Sequence, residues 1–358
     1  MYCNYKIKIL IYYLFISKLK MGNKANCNCI ENVNDLELST ENDSFIFSKR
    51  SKLNDQINLP LFSLLKEKML KSNITINSIT KEYLNNLIEH NPKATSTIEL
   101  YTPQLRTIYN SSQHENYLPP LQFINKNDDS IEYYEGEYNK NGEFEGVGIH
   151  LFDNNCIYIG QFKNDQYNGK GLLISDEGNS LYGDFIQGEC NGTGHLIIDG
   201  QLDYEGQFEN NQKKGFGVEK YIDGSIYEGN FFNGEKNGQG KYSFPNGEYY
   251  QGNFQNDLYE GNGVYEWPEE GRRYEGQFHL GNMEGNGVSQ YNDGSVYQGH
   301  YVGGVKQGEG CYTWNNGQKF EGNWLNNVLH GNGILTANGN QYEIIYRFGK
   351  IISSRNIQ

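Results

Sequence analysis

Short runs in which apolar and polar residues alternate make up most of the C-terminal part of this chain. In one such run, YEGNF, the residues Tyr227, Gly229 and Phe231 fall on one side. Glu228 and Asn230 fall on the other. Alternation with a period of two is typical of a β-strand with one buried face. Glycine weakens the interior of a strand, so its central place in the run needs a structural reason.

The run recurs with a fixed period. Its central glycines lie 23 or 24 residues apart, and a Gly-x-Gly motif follows each of them. Pairs such as Asp223-Gly224 and Asn246-Gly247 separate the runs and favour tight turns. Each period therefore predicts one β-hairpin, and the array holds about nine repeats. The central glycines are Gly136, Gly160, Gly183, Gly206, Gly229, Gly252, Gly276, Gly299 and Gly322.

The glycines are interpreted as packing positions. A Tyr-Gly-Phe face leaves a gap at each glycine, and we expect an aromatic ring of the next unit to fill it. The segment GNMEGNG at 281–287 also resembles a glycine-rich nucleotide loop. Such a loop needs a helix after it, whereas the same spacing recurs here in every repeat. The recurrence favours the packing interpretation.

The order Tyr-x-Gly-x-Phe, then Gly-x-Gly, then a glycine turn resembles the MORN (membrane occupation and recognition nexus) repeat. The resemblance runs from Tyr134 to about Phe348, and Leu181 departs from it by taking the first aromatic position of the third unit. It implies a mostly β fold, an elongated single-layer array of stacked hairpins. The aromatic side chains expected at the surface of the repeats are Tyr204, Phe208, Tyr227, Phe231, Tyr250, Phe254, Tyr274, Phe278, Tyr297, Tyr301 and Trp324.

The chain divides into an N-terminal region and the array. In the N-terminal region, which we expect to be partly disordered, helical spacing of apolar residues predicts two short helices at 59–71 and 78–90. These helices either pack against the first hairpin or each other, or dock a partner. At the other end, Ile344 replaces the central glycine and is expected to stop another hairpin from docking. The predicted segments are a leader at 1–30, a linker at 31–118, the array at 119–350 with a half repeat first and a cap last, and a tail at 351–358.

Charge is unevenly distributed along the chain. The net charge is −14 overall. Residues 131–358 hold 15 basic and 31 acidic residues, a net −16, whereas residues 1–130 hold 15 and 13, a net +2. An acidic array repels phosphate backbones and anionic lipid headgroups, so we expect no nucleic acid partner. A membrane contact is therefore expected at the N-terminus.

The first 30 residues suggest how such a contact is made. The apolar run Ile9–Ile16 is too short to span a bilayer. It fits the apolar region of a signal peptide, but no cleavage motif follows it. If translation starts at Met21, Gly22 becomes a myristoylation acceptor, and Cys27 and Cys29 become palmitoylation targets. Two acyl chains anchor a protein stably where one does not. If translation starts at Met1, Gly22 is internal and this anchor is excluded.

The sequence favours a protein without catalytic activity. It lacks a Walker loop, a Gly-x-Ser-x-Gly elbow, a His-Glu-x-x-His motif and the kinase motifs. Its six cysteines show neither a zinc spacing nor a disulfide framework, which fits free thiols in the cytosol. Five glutamates repeat on one face and are interpreted as a solvated row, namely Glu135, Glu205, Glu228, Glu275 and Glu321. We therefore expect no catalytic, metal or cofactor site.

The leading hypothesis is a non-catalytic scaffold that presents its β surface to protein partners while its N-terminus is tethered at a membrane face. One alternative is a phosphoinositide-binding module that acts through the array itself. Another is a cytoskeletal or ciliary assembly protein that dimerises through the array, since exposed edge strands invite pairing. All three place the protein in the cytoplasm, as a peripheral membrane or cytoskeleton-associated protein. The sequence names neither the partner nor the organelle.

Overall fold

A computed structural model describes residues 100–101, 103–105, 117–124, 131–152, 156–198 and 200–357, with only the backbone at 117–124. The described residues form antiparallel β-hairpins almost throughout, which confirms the mostly β prediction. The two helices predicted at 59–71 and 78–90 lie outside the described residues.

The chain forms two compact units, Met1–Asp199 and Gly200–Gln358. Within each unit, every strand pairs antiparallel with the next one along the chain. The described strands of the first unit are β1 (Tyr117–Ile124), β2 (Ile131–Tyr138), β3 (Phe144–Leu151), β4 (Ile157–Lys163), β5 (Gln166–Ile174), β6 (Ser180–Ile186) and β7 (Glu189–Ile198). Those of the second unit are β8 (Leu202–Glu209), β9 (Gln212–Tyr221), β10 (Ile226–Phe232), β11 (Glu235–Ser243), β12 (Tyr249–Gln255), β13 (Leu258–Trp267), β14 (Arg272–His279), β15 (Asn282–Gln290), β16 (Val296–Val302), β17 (Val305–Thr313), β18 (Lys319–Leu325), β19 (Val328–Ala337), β20 (Asn340–Arg347) and β21 (Lys350–Asn356).

A bulge follows the central glycine of the repeat. Between β10 and β11, Gly229 is opposite Gly240, yet Phe231 is already opposite Lys236. The extra residues of β11 include Gly238, the first glycine of the Gly-x-Gly motif, at a φ of +85°. A side chain is strained in that conformation, so the bulge requires glycine there. The two glycines of the Gly-x-Gly motif thus serve different purposes, because the second lies opposite the central glycine.

Two kinds of turn connect the strands. The predicted Asp-Gly and Asn-Gly pairs lie between repeats, where Gly224 donates a hydrogen bond from its amide to the Tyr221 carbonyl at 2.9 Å. Within repeats, two successive residues take positive φ, as in the hairpin turn with mirror-image backbone. Leu280, at a φ of +48°, shows that the strand twist imposes this turn even on a residue that disfavours it.

The face that carries the repeat tyrosines is called the front face, and the opposite one the back face. In the first unit the back face is also apolar, because Leu151, Ile157, Leu172 and Ile174 form a buried cluster on it. Tyr101, from the helical residues 100–101 and 103–105, completes this cluster and is 2% exposed. A piece of the predicted linker therefore covers the back face of the first unit.

β20 and β21 form the last hairpin of the array that the structure describes. Ile344 is buried and lies opposite Gly333 on β19, but its other neighbour is Ser354 on β21. β21 is the second strand of the hairpin that contains Ile344, so the expectation that Ile344 stops another hairpin from docking stays a prediction. This second strand, Lys350–Asn356, takes up most of the predicted tail at 351–358.

Candidate protein-binding surface

Each repeat tyrosine lies over two glycines of its own hairpin. A Cβ added at Gly240 would lie 2.5 Å from the Tyr227 hydroxyl oxygen and 2.6 Å from its Cε2. The Tyr227 hydroxyl reaches past Gly229 and donates a hydrogen bond to the Asn230 carbonyl at 2.8 Å. We call this arrangement the tyrosine lock. It recurs at Tyr134, Tyr158, Tyr204, Tyr250, Tyr274 and Tyr297, with hydroxyl-to-carbonyl distances of 2.8–3.1 Å.

The ring that fills the glycine gap therefore belongs to the same repeat, and the expectation of a ring from the next unit is wrong. A tyrosine two positions before a glycine lies on the same face of the strand, so its ring reaches the gap directly. The next unit contributes a different contact. The Phe254 ring meets the edge of Tyr227, with centroids 4.9 Å apart and planes at 79°.

The aromatic side chains predicted at the repeat surface are buried instead. In the second unit, the repeat tyrosines lie flat on the glycines, and the phenylalanine rings of their own and the next repeat pack edge-on against them. The prediction that they form an accessible surface is therefore wrong, since they make the core of the unit. Tyr204, Phe208, Tyr227, Phe231, Tyr250, Phe254, Tyr274, Phe278, Tyr297, Tyr301 and Trp324 are between 0% and 7% exposed.

A second row of aromatic side chains on the front face of the second unit remains partly exposed. Neighbouring rings touch within two groups of this row, Tyr221 to Trp267 and Tyr291 to Trp314. The centroids are 5.9 Å apart for Tyr221 and Tyr242 and 4.2 Å apart for Tyr265 and Trp267. The row is called the aromatic ladder. Its members are Tyr221, Tyr242, Phe244, Tyr265, Trp267, Tyr291, Tyr312 and Trp314. The sequence signal was an aromatic residue two places after the Gly-x-Gly motif, as at Tyr242, Tyr265 and Tyr312.

A family profile described as "MORN repeat" matches eight segments, which together cover more than half of the chain. The chain belongs to the MORN-repeat family. The matched segments are 134–157, 158–180, 204–226, 227–249, 250–272, 274–296, 297–319 and 320–341.

The gap between the second and third matches contains a MORN hairpin with an altered lock. Leu181 stands where the other repeats have an aromatic residue, yet Gly183 still lies opposite Gly194 in the pairing of β6 with β7. Cys190 fills part of the space, since a Cβ at Gly183 would come 3.1 Å from its Sγ. Burial raises the pKa of the Cys190 thiol to about 12, with the Asp184 carboxylate adding to the rise.

Two solved structures have weak similarity to the chain. One solved structure, the "SAS-4 (dCPAP) TCP domain in complex with a Proline Rich Motif of Ana2 (dSTIL)" of Drosophila melanogaster, is 15% identical, with a TM-score of 0.28 over 44% of this chain and 85% of that one. A second, the E1021V mutant of the TCP10 domain of Danio rerio CPAP, is 13% identical, with a TM-score of 0.22 over 66% of this chain and 98% of that one. No curated protein matches the chain.

The residue two places before each Gly-x-Gly motif varies among the MORN repeats and packs against the repeat tyrosine. Where it is tyrosine it stacks, as Tyr259 does on Tyr250 with centroids 3.9 Å apart and planes at 14°. Where it is lysine, its ammonium lies over the ring. Lys213, Lys236 and Lys306 lie 5.3, 5.5 and 4.8 Å from the centroids of Tyr204, Tyr227 and Tyr297.

Glu219 links two of these lysines in the interior of the MORN array. Its carboxylate binds the Lys213 ammonium directly and lies 3.6 Å from the Lys236 ammonium, and all three side chains are buried. Asp257 lies 3.2 Å from Lys236 on its other side. Burial raises the pKa of Glu219, but the two ammonium groups outweigh burial and hold the pKa below its ordinary value. Sequence reasoning missed this cluster, because charged residues in strands usually face solvent.

The back face of the second unit matches the solvated row that was predicted. Glu205, Glu228, Glu275 and Glu321 are exposed there. Glu135, in the first unit, is instead 3% exposed, so the row does not extend to it. The back faces of the two units therefore differ, because that of the first is apolar and covered and that of the second is exposed and carries the acidic row.

Several predictions concern residues that the structure does not describe. The acylation candidates Gly22, Cys27 and Cys29 lie outside the described residues. Among the residues that are described, no helix has the length and hydropathy needed to cross a membrane. Within the same residues, no group of three or more His, Cys, Asp or Glu side chains is placed to hold a metal ion.

Proposed function

We propose that this MORN protein is a non-catalytic scaffold that binds protein partners through the aromatic ladder of its second unit. The observation that supports the proposal is the ladder itself, a row of partly exposed rings on one sheet face that contact one another in two groups. Tyrosine and tryptophan are enriched in protein interfaces, where they bury large areas with little loss of side-chain freedom. The tyrosine locks hold the sheet beneath the ladder, so the rings are ordered before a partner arrives.

The charge of the array supports a protein partner over a lipid or a nucleic acid. Residues 131–358 carry a net −16, and an anionic bilayer or a phosphate backbone is repelled by such a surface. A protein partner needs only a local patch of matching chemistry. Buried partner side chains on the ladder then supply most of the binding energy.

A display screen tests the proposal. A random peptide library is selected on the full-length protein, on a variant with Tyr242→Ser, Tyr265→Ser and Trp314→Ser, and on a control with Glu228→Ser, Gln251→Ser and Gln298→Ser on the back face. We expect peptides that bind the wild type and the control but not the ladder variant. Melting curves by circular dichroism establish that both variants are folded. Equal selection on all three proteins contradicts the proposal.

Vesicle flotation addresses the alternative in which the array binds lipid. The full-length unacylated protein is mixed with vesicles containing phosphatidylinositol 4,5-bisphosphate and, separately, with neutral vesicles. We expect no flotation in either case. Flotation that the ladder variant abolishes would instead make the ladder a lipid-binding surface.

We propose further that acylation at Gly22, Cys27 and Cys29 tethers the scaffold to a membrane when translation starts at Met21. This part rests on the sequence alone. Expression from Met21 in cells fed an alkyne-tagged myristate should label the wild type and not Gly22→Ala. Absence of label on the wild type contradicts the tether and leaves the scaffold proposal untouched.

A further inference from the structure

The ammonium of Lys306 lies among four aromatic rings. Its Nζ is 5.0 Å from the ring centroid of Tyr291, 4.8 Å from Tyr297, 5.1 Å from Tyr312 and 5.1 Å from Trp324. Tyr291 and Tyr312 belong to the aromatic ladder, whereas Tyr297 and Trp324 are buried beneath it. Lys306 itself is partly exposed. A cation therefore lies in the floor of the ladder, within reach of solvent.

The same position in two other repeats shows what Lys306 lacks. Lys236 has Glu219 at 3.6 Å and Asp257 at 3.2 Å, and Lys213 shares Glu219. Among the described residues, no carboxylate lies within ion-pair distance of the Lys306 ammonium. The chain thus supplies its own counter-ion to two of these three lysines.

Two substitutions between repeats account for the difference. Glu219 lies opposite Tyr227 on the neighbouring strand, and the residue that lies opposite Tyr297 in the same way is Ser289. Asp257 accepts a hydrogen bond from the backbone amide of Lys236 at 2.9 Å, and Asn327 accepts the equivalent bond from Lys306 at 2.9 Å. Both acids are replaced by neutral residues of similar hydrogen-bonding ability, while the lysine is kept.

A partly buried ammonium without a carboxylate is a site for an external anion. Burial lowers the pKa of Lys306, the Tyr312 hydroxyl opposes this, and the Arg272 guanidinium adds to the lowering. Arg272 stacks on Trp267 of the ladder, with its Cζ 3.7 Å from the ring centroid. An anion on the ladder here would relieve the desolvation of the lysine and be attracted by its ammonium. The Arg272 guanidinium already pairs with Glu270, with its Nε 3.3 Å from the carboxylate.

We propose that Lys306 anchors one aspartate or glutamate side chain of a protein partner that lies on the aromatic ladder. The inference rests on the scaffold function proposed above and names the partner's chemistry. A single carboxylate matches a single ammonium, and the rings of Tyr291, Tyr312 and Trp314 take the apolar or aromatic partner residues next to it. A doubly charged phosphate group is disfavoured by the acidic array around the site.

The chain itself offers the variant for the test. Met283 occupies the position of Lys306 in the preceding repeat, opposite Phe278 as Lys306 is opposite Tyr301. Lys306→Met therefore removes the charge and keeps a side chain that this fold already accepts. Lys319→Met, at a partly exposed lysine of the adjoining strand whose ammonium pairs with Glu321 at 2.8 Å, is the control for loss of one positive charge.

The peptide library of the display screen is selected on full-length wild type, Lys306→Met and Lys319→Met. We expect the wild type and Lys319→Met to enrich peptides with an aspartate or glutamate next to aromatic or apolar residues, and Lys306→Met to lose the acidic preference. The dissociation constant of one enriched peptide is then measured by fluorescence anisotropy. Lys306→Met should weaken it about 10- to 100-fold, the range of a hydrogen bond to a charged group. Replacing the acidic residue of the peptide by its amide should weaken binding to the wild type as much as Lys306→Met does. The same replacement should have little effect on binding to the Lys306→Met protein.

Three outcomes overturn the inference. Enriched peptides without an acid, whose affinity Lys306→Met leaves unchanged, contradict the anchor while the scaffold function stands. Peptides that ignore the ladder altogether contradict both. Inorganic phosphate, anionic vesicles and free glutamate are each tested as competitors of the enriched peptide on the wild-type protein. If phosphate or the vesicles displace the peptide more strongly than glutamate does, the site is assigned to a phosphate ligand instead.

Discussion

The hydroxyl of Tyr227 donates a hydrogen bond to the carbonyl of Asn230 at 2.8 Å, across the central glycine of the repeat. The ring between them covers Gly229 and Gly240, whose Cα atoms face each other on adjacent strands. One side chain thereby fixes the bulge, fills the gap and joins the two strands of its hairpin. The thickness of this ring explains the central glycine and the second glycine of the Gly-x-Gly motif.

The lock predicts a specific cost for a methyl group beneath the ring. Gly240→Ala should lower the free energy of unfolding by about 1–3 kcal/mol, because its Cβ would overlap the Tyr227 ring and force it to move. Urea denaturation followed by circular dichroism measures the loss. Gly247→Asn is the control, since that turn glycine at a φ of +84° has no atoms within 4 Å of the added Cβ, and asparagine tolerates the conformation. Equal losses in the two variants would contradict the steric explanation.

The hydroxyl of the lock has its own contribution. Tyr227→Phe should cost about 0.5–1.5 kcal/mol, the net value of one intramolecular hydrogen bond. The fold already accepts phenylalanine there, because Phe320 takes the same place over Gly322 and Gly333. Thermal unfolding of this variant is compared with that of Tyr342→Phe, a partly exposed tyrosine of β20 outside any lock. A destabilisation by Tyr342→Phe as large as that by Tyr227→Phe would count against the lock.

The buried ionic cluster predicts a pH dependence of stability. The pKa of Glu219 is held below its ordinary value of 4.5 in the folded protein. The stabilisation that the Glu219 carboxylate provides is therefore complete above pH 4.5, its ordinary pKa, and is lost as the pH falls through the lower pKa of the folded protein. Glu219→Gln should cost about 3–5 kcal/mol at pH 7, because Lys213 and Lys236 are left without their shared carboxylate. The variant should also lose less stability than the wild type between about pH 5 and pH 2.

Denaturant midpoints measured across this pH range test the prediction. Glu228→Gln, at an exposed position of the back face, should leave the pH profile close to that of the wild type. The triple variant Lys213→Met, Glu219→Leu and Lys236→Met should recover most of the lost stability, since other repeats carry Met283 and Leu196 at these positions. If stability depends on pH in Glu219→Gln as it does in the wild type, the cluster does not control the loss of stability at acidic pH.

The altered lock of the third repeat predicts an inert thiol. Cys190 is 0% exposed and burial raises its pKa to about 12, so little thiolate forms at neutral pH. Iodoacetamide labelling followed by peptide mass spectrometry should leave Cys190 unmodified until urea unfolds the protein. Cys156 and Cys311, which are partly exposed, should react first in the native state. Rapid native labelling of Cys190 would mean that the first unit opens easily.

The covered back face of the first unit predicts a large effect from one residue of the N-terminal region. Tyr101 stacks on Tyr182 with centroids 5.2 Å apart and hydrogen-bonds the His195 ring at 2.7 Å. Tyr101→Ala should cost about 3–5 kcal/mol, as for other buried aromatic truncations, and should increase binding of an apolar dye. Leu100→Ala, at a neighbouring side chain that is 55% exposed, should change neither the melting curve nor dye binding.

The sequence predicted the repeating unit because its information is local. Alternation with a period of two, a fixed spacing of glycines and Asn-Gly turns are each decided within one hairpin, and the strands formed where these signals placed them. The bulge at Gly238 was also local, but a glycine in a strand does not reveal whether it is needed for a close contact or for a positive φ. The direction of the tyrosine ring was missed for the same reason.

The features that could not be predicted depend on residues far apart in the chain. Nothing near Ile157 or Leu172 indicates that Tyr101 covers them, and the second unit leaves the same face to solvent. Glu219 and Lys236 look like ordinary surface charges until the strand register brings them together. Tyrosines occur both in the exposed ladder and among the buried repeat tyrosines, so residue type does not distinguish the two rows. The repeat tyrosines are buried because their rings lie over glycines of the sheet. Pairing of two copies through the array stays a prediction.

Each tyrosine lock closes on glycines of its own hairpin, and the contact with the following phenylalanine is the same at most junctions. Outside the repeats joined by the Glu219 cluster, loss or duplication of one whole repeat in the gene therefore rejoins equivalent aromatic partners on both sides. The array can lengthen or shorten by recombination in steps of one hairpin. Point changes at exposed ladder positions can meanwhile alter partner choice repeat by repeat, without disturbing the ring that holds each hairpin closed.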